Sequence, residues 1–364
     1  MRFASYERSD APVAGTLPDS LPPGRSRAGT CHAGPVNTCG LPLVPDGSLL
    51  LANGKQALSL VAQDLRDRGV RTLLAPDFYC LTMIQPFQLE GITVRHVTTD
   101  PRALLDPEAL AEELARDHRS AVLHCEVFGG LAGPRLRGVL EAAQADGVPV
   151  VVDVTHSLFA TSHGPGDYLV ASLRKLLPVP DGAFVTGLPG RPALTRHDVD
   201  AMATRYGLTA RRRRRDLAPG RGSAADYLDA VDTAEEAMLD AREPASMSRV
   251  ALQLLSRLDP DALCEARRAN AGYLIERLAL CGVEAVNPGT PECGVVVEVE
   301  DAASVERDLL DAGILCPISW PRPPGLRHHI PWPSRWVTLP VDPDLAPHTL
   351  DRAACIVEHA ASAR

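Results

Sequence analysis

The chain lacks several features that would settle its class at once. No apolar run approaches the ~20 residues a membrane-spanning helix requires, so no membrane association is expected. The N-terminus carries Arg2, Glu7, Arg8 and Asp10 and no hydrophobic signal core, which points to a cytoplasmic protein rather than a secreted one. No internal repeat is apparent. The nine cysteines are an odd number and scattered, with no CxxC pair and no His-rich neighbour. They read as reduced thiols rather than disulfide partners or metal ligands. There is no excess of positive charge either: 37 Lys and Arg stand against 46 Asp and Glu, a net charge of −9, which argues against nucleic-acid binding. One local exception is the run Arg211 to Arg215, flanked by Gly and Pro. No aromatic residues interleave with it, so it reads as a solvated segment or as a contact with an anionic substrate or partner subunit.

What is present is an ordinary soluble composition, 45% hydrophobic and 23% charged, in 364 residues. That length exceeds what one core usually fills, so two domains are expected. Residues 1–47 are rich in Pro, Gly and Ser and predict an extended N-terminal arm. Residues 48–245 alternate strand and helix patterns. Gln56 to Arg68 is an amphipathic helix with Leu58, Val61, Ala62 and Leu65 on one face. Strand-like runs follow at Thr72 to Ala75, Thr93 to Val97, Ala121 to Cys125, Val148 to Val152, Asp167 to Ala171 and Ala183 to Thr186, with helices at Pro107 to Asp117 and Leu136 to Asp146. Continuously apolar strands such as VPVVVD suit a mainly parallel sheet covered on both faces, hence a doubly wound α/β domain. Residues 246–364 read as a smaller α+β domain. It has a long helix at Ala262 to Cys281, a strand at Gly294 to Val299, a helix at Ala303 to Ala312, a strand at Trp336 to Leu339 and a last helix at Ala346 to Ala361.

The stretch from Val150 to Phe184 carries the chemistry. Asp153 closes one buried-looking strand, and Lys175 follows the next strand 22 residues later. Alone, a strand-end Asp is a turn cap and a lysine in SLRK is a surface residue. Together they supply what pyridoxal 5′-phosphate (PLP) needs: an acid for the ring nitrogen and an amine for the aldehyde. His156, three residues past Asp153, is either a turn residue or a hydrogen-bonding partner of the cofactor ring. Arg174 is expected to face away and form an ion pair. For the phosphate, the turn Ala52 to Ala57 opens a helix: backbone N–H groups of Lys55 and Gln56 would face the anion, Gly54 permits close approach, and Ser172 offers a hydroxyl from the other side. The ring-stacking residue is sought in Pro76 to Cys80, with Tyr79 first and Phe78 second. Arg335 either meets a substrate carboxylate or is a solvated loop arginine. Trp320 and Trp332 either wall the pocket or are structural.

These segments resemble the DegT/DnrJ group of fold type I PLP enzymes over nearly the whole chain after residue 48. ANGKQAL resembles its phosphate turn, PDFYC its strand-end aromatic segment and VVVDVTHS its Asp-x-x-Gln/His motif. GDYLVASLRKLLPVPDGAF is similar to the lysine segment of a branch with SLRK and PDGG. In the C-terminal half, SRLDPDALCEARRANAGYL resembles the group's helix running into the small domain, and DAGILCPISWP and RWVTLPVD resemble the two segments that close over the substrate. The resemblance implies the aspartate aminotransferase fold and an internal aldimine on Lys175, with Asp153 on the pyridinium. It also implies a homodimer with shared active sites and a small-molecule substrate, an amino acid or an amino or keto sugar. The implied reaction is transfer of an amino group from an amino-acid donor to a keto or aldehyde acceptor. A PLP-dependent lyase, cyclase or epimerase is the alternative. The chain departs from the pattern at Lys55, where Arg, Thr or Ser is usual. It departs again at Ala183, in place of the second glycine of PDGG, and in FYC, in place of a YHC-like segment. The histidine that would replace the lysine in a sugar dehydratase is absent.

Overall fold

A computed structural model of the chain describes residues 6–7, 40–117, 119–190, 192, 194, 244–287, 289, 291–320, 322 and 332–362. The Arg211 to Arg215 run lies outside the described residues, as does most of the expected N-terminal arm. Of that arm, a two-residue strand β1 (Tyr6–Glu7) is described, together with residues 40–47.

The main sheet has seven strands: β2 (Leu49–Leu51), β3 (Thr72–Pro76), β4 (Thr93–Val97), β5 (Ser120–Cys125), β6 (Val150–Asp153), β7 (Tyr168–Ser172) and β8 (Ala183–Val185). Their order across the sheet is β2-β8-β7-β6-β5-β3-β4. From β4 to β7 all pairings are parallel, and β8 runs antiparallel to both β7 and β2. This is the mainly parallel α/β sheet that the strand–helix alternation predicts. Strands β3, β5 and β6 are buried at every position, as unbroken apolar runs require when helices cover both faces.

Among the described residues the sheet is flanked by α1 (Gly54–Asp67), α2 (Leu81–Leu89), α3 (Pro107–Leu114) and α4 (Pro134–Ala145). Helix α1 starts where Asn53 adopts an extended conformation and its side chain accepts the Gln56 N–H, and it buries Leu58, Val61, Ala62 and Leu65 against the sheet. Helix α2 is not legible from propensity. It is nine residues long with Pro86 inside it, which removes a backbone donor. Burial of Ile84 and Phe87 holds it in place.

A second apolar cluster lies in the C-terminal part. There β9 (Val295–Glu298) pairs antiparallel with β11 (Trp336–Leu339), and the helices Pro260–Ala279, Ala302–Asp311 and Pro347–Ser362 pack on that ribbon. Between the two strands, β10 (Ile318–Ser319) pairs antiparallel with β1. Among the described residues no helix is long and apolar enough to cross a membrane.

Candidate active site

The parallel strands β3, β5, β6 and β7 all end on one edge of the sheet, where ligands collect in open α/β folds. An open cavity lies there. It gathers Asp153 and His156 after β6, Ser172 and Lys175 after β7, Gly54 and Lys55 at the start of α1, and Trp320 from the C-terminal part. Residues far apart in sequence, singled out on chemistry, thus share one space.

Asp153 is buried, and its Oδ1 accepts both the N–H and the hydroxyl of Thr155, at 2.9 and 2.6 Å. The same Thr155 oxygen accepts the Ser172 N–H at 3.0 Å, which couples the acid to the next strand. His156 Nδ1 accepts the Phe128 N–H at 3.2 Å. The neutral imidazole therefore carries its proton on Nε2, which makes that nitrogen a donor. Phe128 holds this position in the left-handed region, at φ 53°, where a bulky residue is strained.

Lys175 ends a 3₁₀ turn, Leu173–Lys175, that continues directly from β7. The turn is clipped to its surroundings twice: Leu173 N–H donates to the Gly182 carbonyl at 2.9 Å, and Gly182 N–H donates to the Ala52 carbonyl at 2.7 Å. Gly182 sits at φ +123°, and a Cβ there would lie 2.6 Å from Met247 Cε, so a larger residue does not fit. Ala183, by contrast, is a regular β8 residue paired with Leu51 and Ser172, which explains why the second glycine of the turn is dispensable.

At the start of α1 the Gln56 N–H is committed to the Asn53 side chain at 3.0 Å, and Gln56 Oε1 accepts the Ala245 N–H at 3.2 Å. Gln56 is therefore a scaffold for the turn, and of the first helical turn Gly54 and Lys55 line the cavity. A Cβ on Gly54 would lie 3.2 Å from Ser172 Cβ. Ser172 Oγ is buried and has no hydrogen-bond partner among the described residues.

Three sequence expectations land elsewhere. Tyr79 stacks on His96, with centroids 4.7 Å apart and planes at 9°, and does not line the cavity; Thr82 and Met83 of α2 face it instead. Arg335 donates through Nε to the Val299 carbonyl at 3.1 Å and pairs with Glu298, away from the cavity. Arg174, expected to face away, lines the cavity. Trp320 does as well, stacked on His156 at 5.6 Å. Behind it Phe78 touches all three tryptophans of the chain, Trp320, Trp332 and Trp336, with centroids 4.9 to 5.6 Å apart.

Sequence reasoning also missed Glu126, a buried acid on the cavity wall. The signal was available: like Asp153, it comes at the end of a strand that is buried at every position. Burial pushes its carboxyl up, but hydrogen bonds from His163, Ser157 and Gly164 outweigh this and hold it below the usual carboxylate range.

No family model matches the chain, and no curated protein matches its sequence. Solved structures do. A DegT DnrJ EryC1 StrS aminotransferase from Brucella abortus is 19% identical, with 87% of this chain and 86% of that one covered at a TM-score of 0.56. A sugar aminotransferase from Micromonospora echinospora is 20% identical, with 86% and 87% covered at a TM-score of 0.59. DesV from S. venezuelae, solved in complex with a ketimine intermediate, is 18% identical, with 88% and 86% covered at a TM-score of 0.59. At these identities the likeness is one of fold: this chain has the fold of those aminotransferases over most of its length.

Proposed function

We propose that the chain is a PLP-dependent aminotransferase of the DegT/DnrJ group, moving an amino group from an amino-acid donor to a keto or aldehyde acceptor. One observation carries this reading: an amine, a buried acid and an anion seat share a single cavity at the C-terminal strand ends. The anion seat fits a phosphate ester. The helix start brings oriented N–H groups, Gly54 leaves room for them to approach a ligand, and the buried Ser172 hydroxyl has no hydrogen-bond partner among the described residues. The structures sharing the fold, which include aminotransferases and one in complex with a ketimine intermediate, support the same class.

The cofactor, when bound, supplies an electron sink that stabilises negative charge on the substrate carbon bearing the amino group. The protein's residues do the rest. Asp153, anchored by Thr155, would accept a hydrogen bond from the ring nitrogen and favour its protonated form. His156 would donate from Nε2 at the ring edge. Lys175 would hold the aldehyde carbon and, once displaced by substrate, take the proton from the substrate carbon and deliver it to that former aldehyde carbon. Trp320 would wall the cavity against water.

The motif resemblance also supports a homodimer with shared sites, testable by sedimentation. The two separate apolar clusters support two domains, a large one over 48–245 and a small one over 246–364, although Met247, Ala251 and Leu255 pack with the first cluster.

The test is spectral. Purified protein given PLP should absorb near about 420 nm, and borohydride reduction should fix the cofactor's mass to the peptide containing Lys175. Lys175→Ala should lose both signals; an undiminished covalent adduct in that variant overturns the assignment. Addition of an amino donor should then convert the bound cofactor to its amine form. Turnover of amino acids without that conversion would favour lyase or cyclase chemistry instead.

A further inference from the structure

Glu126 is a buried ionised group to which the chemistry above gives no work. It follows Cys125, whose register partner across the sheet is Asp153, and its N–H donates to the Asp153 carbonyl at 3.0 Å. The two acids thus stand at the ends of neighbouring strands, and both line the cavity. The Glu126 side chain is 0% exposed. Its carboxylate is met by the loop that follows Asp153. Oε2 accepts the Ser157 hydroxyl and His163 Nδ1, the latter at 2.8 Å, and Oε1 accepts the Gly164 N–H at 2.8 Å. His156 lies inside the loop so tied, and its Nδ1 is held by Phe128, two residues past Glu126. The anchor is itself braced, since Arg137 of α4 donates to the His163 carbonyl at 3.0 Å.

A buried carboxylate is costly to desolvate, and an apolar residue would fill the same volume at no such cost. Three donors converge on Glu126, which is what keeps it charged beside the cavity. The charged and titratable groups around it are Asp153 on β6, His124 on β5, His163 in the loop, and Lys175 and Arg174 across the cavity after β7. His124 is held neutral by burial, its pKa pushed down to about 4. It therefore adds no charge at neutral pH.

We propose that Glu126 is a positioning residue for the ring end of the cavity. It ties the segment from Val154 to Gly164 back to β5, which fixes His156 beside Asp153, and its negative charge adds to that of Asp153 in favouring a protonated cofactor ring. This rests on the cofactor reading above.

The experiment titrates the parent protein, Glu126→Gln and His163→Gln with PLP across a pH series. Three readouts are followed: PLP affinity, the pH midpoint of the long-wavelength absorbance, and the denaturant midpoint. Glu126→Gln should bind PLP about 10-fold more weakly or worse. Its absorbance midpoint should fall by about half a pH unit or more, because removing an anion disfavours the protonated form. His163→Gln, which keeps the carboxylate but loses a donor to it, should weaken PLP binding by a smaller factor. A purely structural Glu126 would lower the denaturant midpoint and leave the absorbance midpoint in place, and that result overturns the proposal. If Glu126→Gln does not fold, His163→Gln decides, and unchanged PLP affinity there overturns it equally. A parent protein that takes up no PLP overturns the cofactor reading and this proposal together; uptake by the parent with both readouts unmoved in Glu126→Gln overturns this proposal alone.

Discussion

Gly54 and Ser172 approach so closely that a Cβ on the glycine would stand 3.2 Å from the serine Cβ. One opens helix α1 and the other closes strand β7, so their meeting places a helix N-terminus and a buried hydroxyl side by side. The approach is possible because residue 54 has no side chain, and the two groups together make up the proposed anion seat.

Ser172→Ala should accordingly separate ligand binding from stability. The hydroxyl is buried without a hydrogen-bond partner among the described residues, so its removal should leave the ligand-free protein as stable or slightly more so. PLP affinity should fall about 10-fold, the worth of one hydrogen bond to a charged group. Gly54→Ala should weaken PLP as well, since the contact must open by a few tenths of an ångström. Affinity for pyridoxal, which lacks the phosphate, should not change in either variant when measured by the same titration. An equal loss for pyridoxal would mean that neither residue meets the phosphate.

Thr155 links Asp153 to β7 through one hydroxyl, which donates to the carboxylate and accepts from the Ser172 N–H. Thr155→Val keeps the shape and removes both bonds, leaving the Ser172 N–H without that acceptor in a buried place. The expected cost is about 1–3 kcal/mol in urea denaturation, with faster loss of PLP on dialysis. Thr155→Ser should restore most of both. A valine variant with parental stability and retention would show that Asp153 is positioned by something else.

Much of this was legible in the sequence, and the exceptions share a cause. Strands β4 and β11 were placed to the residue because their burial patterns are local. Asp153 and Lys175 were found because each follows an apolar run, and the strand ends bring such positions together. Tyr79 was misjudged because its fate depends on His96, on a neighbouring strand, whose ring claims its face. For Arg335 a substrate contact and a solvated loop position both stood open, and β9 supplies its partners, the Glu298 carboxylate and the Val299 carbonyl just beyond. Helix α2 owes its existence to packing that Pro86 opposes locally. Each of these outcomes is decided by a tertiary neighbour, which spacing along one chain does not reveal. Glu126 is different: the strand-end rule that found Asp153 applied to it equally, and only its hydrogen-bond partners required the fold.

His124 gives the fold a pH dependence of its own. It lies fully buried in β5, and neither ring nitrogen has a hydrogen-bond partner among the described residues. Burial pushes its pKa down from 6.5 to about 4, while the Glu126 charge pulls modestly the other way. The unfolded chain therefore binds a proton as pH falls through 6.5, and the native state does not follow until about pH 4. Stability should fall across that window and level off below it, by roughly 3 kcal/mol at most from this group. Glu126 acts in a separate range. Its carboxyl is depressed in the folded state, so its contribution is present above its unfolded value of 4.5 and is lost as pH falls further. His124→Leu removes the titration and two unpartnered nitrogens in a strand that is apolar at most positions. Denaturation at pH 7 and pH 5 should show a smaller drop for this variant than for the parent, by about 2 kcal/mol. A variant with the parent's full drop would mean that this imidazole is not what makes the fold acid-sensitive.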